Sequence, residues 1–158
     1  MVHDENTKVK ITLDKDLIFK SFFEFTETSK ILIDETLDKT GQMKGPDAAT
    51  LLGMAVISCL SASFIFCLNK RNLSLDDLEA EADISFYNTE KGYERIKRID
   101  VKIIPKTDDP DVLKRIEQCT REMRSGDMYF EETCIITPSI REGIDINVKI
   151  INKHSATS

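Results

Sequence analysis

Histidine is scarce in this chain: there are two, His3 and His154, one near each end. A Ser-His-Asp or Cys-His catalytic pair would have to recruit its base from a terminal segment, and zinc sites built on histidine are disfavoured for the same reason. Glycine-rich phosphate loops are missing as well. The GQMKG stretch, Gly41 to Gly45, fits neither the Walker loop nor the dinucleotide fingerprint. Met1 to Lys10 is polar and charged and has no apolar run of the secretory type, so the expected compartment is the cytoplasm, where thiols are kept reduced. The net charge of -6 speaks against nucleic acid or an anionic membrane as partner, because phosphate groups are bound by clustered Lys and Arg.

What is present is a balance of 41% hydrophobic and 32% charged residues, that of a folded globular chain. At 158 residues one domain spanning 1–158 is expected, large enough to bury a core. The chemistry left open belongs to four cysteines: Cys59, Cys67, Cys119 and Cys134. No two of them have the two-to-four-residue separation typical of zinc sites, so neither a metal nor a cofactor is expected. Cys67 and Cys119 fall within apolar helical patterns and read as core residues that stay free under mild oxidation.

Three strands are read in the first third, at Lys8 to Leu13, Leu17 to Phe25 and Ile31 to Ile33, followed by a loop from Asp38 to Asp47. From Leu51 to Leu68 nearly every residue is apolar or small. A helix of this kind has no polar face to turn to water. Its length touches the range of a membrane span, but Gly53, three serines and the polar remainder of the chain favour a buried central helix. In so small a domain it needs a sheet on one side and a second subunit on the other. Ser58 and Ser61 are expected to bond to the helix's own carbonyls.

Leu78 to Phe86 alternates as a half-buried strand and returns through Ile99, Val101 and Ile103, with a phase slip that places a bulge near Lys97. Asp109-Pro110 opens a helix that Ser125-Gly126 is expected to end. Thr137-Pro138 opens a shorter helix closed by Gly143, and Ile144, Ile146, Val148 and Ile150 form a last alternating strand. This order is α+β, with helices gathered on antiparallel sheet.

Two stretches carry a resemblance. LLGMAVISCLSASF, Leu51 to Phe64, resembles the helix holding the first cysteine of the OsmC/organic hydroperoxide resistance family. FEETCIITPSIREGI, Phe130 to Ile144, resembles that family's second cysteine segment, and EKGYERIKRIDVKI, Glu90 to Ile103, its hairpin. The resemblance implies antiparallel sheets packed on a long apolar central helix, an intertwined homodimer, and two-cysteine reduction of organic hydroperoxides. It makes Cys59 the peroxidatic residue and Cys134 the resolving one, with an external thiol as reductant. The family's better-known members hold an arginine near the thiolate and a glutamate two to three turns before the first cysteine. Here no arginine precedes Arg71, and Ala49 and Thr50 stand where the glutamate is expected. Arg141, seven residues after Cys134, is the candidate replacement cation. The alternative is a non-catalytic dimer that binds a small hydrophobic ligand around Cys59, or a thiol redox sensor.

Overall fold

The long apolar helix organises everything around it. In the computed structural model, which describes residues 10–16, 18–22, 30–36 and 43–151, it runs as α1, Ala48–Asn69. Asp47 caps it, its side chain accepting from Thr50 N at 2.8 Å. Gly53, Val56, Leu60, Ser63, Phe64, Cys67 and Leu68 are buried along it. Their spacing of three and four draws one stripe down one side of the helix. Ser58 Oγ donates to the carbonyl of Ala55 at 3.2 Å, as its place in the helix implies.

Before α1 stands a three-stranded antiparallel sheet of β1, Lys10–Lys15, β2, Ile18–Phe22, and β3, Lys30–Asp34. After it comes a long hairpin of β4, Asp77–Asn88, and β5, Glu94–Lys106. The hairpin's register steps from Ser85↔Arg98 to Phe86↔Ile96, so the bulge falls on Lys97, where the sequence loses its phase. The hairpin's Ile99, Val101 and Ile103 pack on the α1 stripe. Gly53 permits this approach: a Cβ there would stand 2.7 Å from Ile84 Cδ1. Helix α2, Pro110–Cys119, is capped by Asp109 and brings Val112 and Cys119 into the same core. A 3-10 turn, Tyr129–Thr133, and the short helix α3, Ile136–Glu142, close over the remaining side. There Phe130 meets Phe64 edge to face, with ring centroids 5.5 Å apart. Burying one such side chain contributes about 1.5–3 kcal/mol.

Three sequence expectations change. Helix α2 ends at Cys119, well before Ser125-Gly126. Met123 and Gly126 instead form a turn, closed by a bridge between Glu122 and Met128, with Gly126 at positive φ. Helix α3 begins at Ile136, so Thr137 lies inside it. The alternating segment after Gly143 pairs with no strand among the described residues: Ile146, Val148 and Ile150 are 82%, 83% and 85% exposed. A period-2 pattern signals a strand only where a neighbouring strand can take its hydrogen bonds. The parts of the first three strands and of the loop that fall at 8–9, 17, 23–25 and 38–42 lie outside the described residues, as do His3 and His154.

Helix α1 has the length and composition of a membrane span, but five elements of this chain pack on it. Met54 and Phe66, on the side away from the stripe, are about half exposed.

The first sheet is fastened to the start of α1 through Asp34, an almost fully buried carboxylate. Its Oδ1 accepts from the Thr36 hydroxyl and from Thr36 N, and its Oδ2 accepts from Lys44 N at 2.9 Å. Its own N–H donates to Pro46 O at 3.1 Å. Gly45 packs so closely on this strand that a Cβ would meet Leu32 O at 2.0 Å. The Thr36 hydroxyl, then the Lys44 and Thr36 N–H groups, hold the Asp34 carboxyl below its ordinary range against the opposing effect of burial. A depressed carboxyl contributes stability at neutral pH that is lost as pH falls through its folded value. Asp34→Asn is therefore expected to lower the melting temperature at pH 7 and to shrink the further loss on acidification to pH 3. Thermal unfolding by circular dichroism across that range checks it; parallel pH curves for the two proteins would refute it.

Candidate functional site

Cys59 sits in the middle of α1, two turns before Cys67, at the edge of the buried stripe. Cys134 follows the 3-10 turn and precedes α3, and the Phe130–Phe64 contact presses this segment onto α1. The two elements bring the two thiols close enough for each to perturb the ionisation of the other. They differ in access. Cys134 is 4% exposed, whereas Cys59 is half-buried and lines a cavity of about 800 Å³. Ala55, Ala62, Phe66, Ile135 and Ile136 form the apolar part of that cavity, with Ser58, Ser63 and Thr133 as its hydroxyls. No lysine or arginine lines it among the described residues.

The surroundings set the two thiols apart. Burial pushes the Cys59 thiol above its ordinary value; the N–H of Ile136 pulls the other way, the hydrogen bond to Cys134 adds to the rise, and the N–H of Ile135 opposes it. Burial also resists ionisation of Cys134, but there it is outweighed. The Thr137 hydroxyl and N–H, the Cys59 thiol and the N–H of Ile136 together hold Cys134 below its ordinary value. Thr137 N donates to Cys134 Sγ at 3.3 Å, and Thr137 Oγ1 lies 3.3 Å from the same sulfur. Of the two, Cys134 is therefore the thiol that ionises more readily. Thr137 is a functional neighbour that the sequence does not disclose: its position suggests a cap, and its partner is a sulfur three residues back.

Arg141 is held elsewhere. Its guanidinium pairs with Asp127 and with Glu131, whose Oε2 is 2.7 Å away. Glu131 Oε1 accepts from Met128 N, so the ion pair braces the turn before Cys134. Arg141 lines a second apolar cavity, of about 680 Å³, along Leu52, Val56 and Leu60. Cys67 and Cys119 are core residues, 3% and 0% exposed, but they are not free: they form a disulfide with Cα atoms 6.1 Å apart. The ends of α1 and α2 meet there, a proximity that a separation of 52 residues hides from the sequence. Among the described residues no cluster of His, Cys, Asp and Glu could hold a metal ion.

A family model described as OsmC-like protein matches residues 40–149, well over half of the chain. The chain belongs to the OsmC-like family. Its fold is shared by an OsmC-like protein from Mycoplasma pneumoniae, at 14% identity and TM-score 0.62, covering 95% of this chain and 100% of that one. An organic hydroperoxide resistance protein OsmC from Legionella pneumophila is similar at 12% identity and TM-score 0.60, covering 89% and 92%. The organic hydroperoxide resistance protein OhrB of Bacillus subtilis is similar at 14% identity and TM-score 0.58, covering 89% and 94%. No curated protein matches the sequence. The two cysteine pairs on this fold are consistent with a redox-active protein.

The geometry makes a chemical prediction about all four sulfurs. Untreated protein, alkylated and digested without reductant, is expected to show one cross-link, Cys67 to Cys119, with Cys59 and Cys134 as free thiols. One equivalent of a mild oxidant should add a second cross-link, Cys59 to Cys134. In Thr137→Val the pH at which Cys134 ionises should move upward, read by the rise of thiolate absorbance near the ultraviolet edge. Exchange of partners between the pairs, or an unmoved titration, would contradict this account.

Proposed function

We propose that this protein is a two-cysteine hydroperoxide reductase in which Cys59 attacks the peroxide and Cys134 resolves the product. The observation that carries the reading is the paired placement of the thiols, one facing an apolar cavity and the other in contact behind it. An organic hydroperoxide enters along Ala55, Ala62 and Phe66, which suit an alkyl tail better than water-like hydrogen peroxide. Once ionised, Cys134 takes the proton of the neighbouring Cys59 thiol as Cys59 attacks the terminal peroxide oxygen. The O–O bond breaks, Cys59 becomes a sulfenic acid, and the departing alkoxide recovers the proton from Cys134 to leave as the alcohol. Cys134, again a thiolate, then attacks the Cys59 sulfur and expels hydroxide, forming the disulfide. Two equivalents of an external thiol return the pair to its starting state.

In this scheme Cys134 takes the Cys59 proton at a site where no arginine precedes Arg71 and Ala49 and Thr50 stand in place of the family's glutamate. Arg141 enters it as a positioning residue, bracing the turn that carries Cys134 through Asp127 and Glu131. Because Cys134 must be ionised to take the Cys59 proton, turnover should climb as pH rises through the range in which Cys134 ionises, below the ordinary thiol value. With an alkyl hydroperoxide and a coupled thiol assay, Cys59→Ser is expected to fall to the rate of the thiol alone. Cys134→Ser should consume one equivalent and stop at sulfenic and over-oxidised Cys59, visible by mass spectrometry. Peroxide consumption no faster than that of free cysteine, unchanged by Cys59→Ser, would transfer the reading to a binding protein for a small hydrophobic ligand. That second reading draws on the same apolar cavity and on its lack of a lining cation.

The proposed working unit is an intertwined homodimer. Support comes from two unsatisfied surfaces: the half-exposed Met54 and Phe66 side of α1, and the unpaired apolar segment from Ile144 to Ile151. Each is a cost in water that a second copy removes. The full chain should sediment as a dimer at micromolar concentration, and truncation after Gly143 should shift it to monomer or aggregate. A truncated chain that remains a well-folded dimer would remove this segment from the interface.

A further inference from the structure

Although the chain is acidic overall, four of its cations converge on one cavity of about 840 Å³: Lys70, Arg71, Arg115 and Arg121, with Tyr129 as an aromatic wall. The convergence follows from the fold. Lys70 and Arg71 follow the last residue of α1, Arg115 belongs to α2, and Arg121 follows its end. The Cys67–Cys119 disulfide ties these two helix ends together.

Basic residues after a helix ordinarily answer the partial negative charge of its last carbonyls. Here much of that charge is already answered from within. The Cys67 carbonyl accepts from Arg115 Nη2 at 3.0 Å and Nε at 3.2 Å. Phe66 O and Leu68 O take backbone N–H groups of Lys70 and Arg71, and Ile116 O takes both the N–H and the hydroxyl of Thr120. No ion pair joins any of the four cations to a carboxylate among the described residues, although Glu117 is on the same wall. Arg115 is held on both flanks, its Nη1 donating to Gln118 Oε1 at 2.9 Å. Its guanidinium is thus fixed before any ligand arrives, which lowers the entropy cost of using it.

We propose that this cavity binds a small organic polyanion, one that offers at least two phosphate or carboxylate groups to Arg71, Arg115 and Arg121. Arginine forks match both groups in bidentate geometry, and Lys70 adds a point charge at the rim. The site lies at the far end of α1 from the entrance of the helix and uses none of the residues assigned to the thiol chemistry.

Isothermal titration of the full, disulfide-intact protein with pyrophosphate and, separately, with citrate tests the proposal and separates phosphate from carboxylate as the preferred group. Saturable binding of at least one probe is expected, one per chain, weakening several-fold as salt is raised because the charges are exposed. The double variant Arg71→Gln/Arg121→Gln should bind at least about tenfold more weakly, since charge-assisted hydrogen bonds are lost. Its unliganded melting temperature should be unchanged, as both side chains are exposed. The control Lys97→Gln/Arg98→Gln, which removes two cations from the hairpin, should bind like the parent. Absence of saturation by both probes, or equal weakening in the two double variants, would overturn the assignment.

Discussion

The contact on which the rest depends is the seating of the segment Phe130 to Thr137 against the middle of α1. Phe64 and Phe130 supply the apolar anchor, and the ion pairs of Arg141 with Asp127 and Glu131 hold the turn from outside. The placement of the two free thiols is a by-product of that seating. It sets Cys134 against Cys59, and it points the first N–H groups of α3 at both sulfurs. A thiol pair in a plain apolar core would have both members pushed toward the neutral form. Here the donors fall unequally, and the two sulfurs part company.

That inequality favours ionisation of Cys134 over Cys59 without an adjacent arginine. A single buried cation would favour whichever thiolate was nearer. A set of N–H and O–H donors is more selective, because each donor points in one direction. Thr137 gives its N–H to Cys134, and its hydroxyl is in hydrogen-bond contact with the same sulfur. Selectivity of this kind is built from backbone geometry, so it survives changes of side chain elsewhere that would remove a charged partner.

The parts of this arrangement that the sequence discloses are those with a local pattern. The all-apolar run of α1, the hairpin with its bulge at Lys97, and the opening of α2 at Asp109-Pro110 each follow from periodicity or turn chemistry within a few residues. The pairing of Cys59 with Cys134 was available through resemblance in two short segments. What stayed hidden depends on distant partners. The disulfide needs the ends of two helices to meet, Thr137 needs a sulfur to accept from it, and Asp34 needs Thr36 and Lys44 to fold back on it. The end of α2 was misplaced because a glycine turn that could stop a helix serves a small β-bridge instead. Ile144 to Ile150 keeps the alternation of a strand, yet alternation says nothing about who lies alongside.

The Cys67–Cys119 bond also encloses the entire β4–β5 hairpin within one covalent loop. A loop of 52 residues closed in advance removes roughly 4 kcal/mol of chain entropy from the unfolded state by the standard loop-closure estimate. For the folding chain this shortens the effective separation between α1 and α2, turning their docking from a long-range encounter into a nearly local one. Oxidised chains therefore start the search for the native topology with the α1–α2 contact already made, while reduced chains must find it by diffusion.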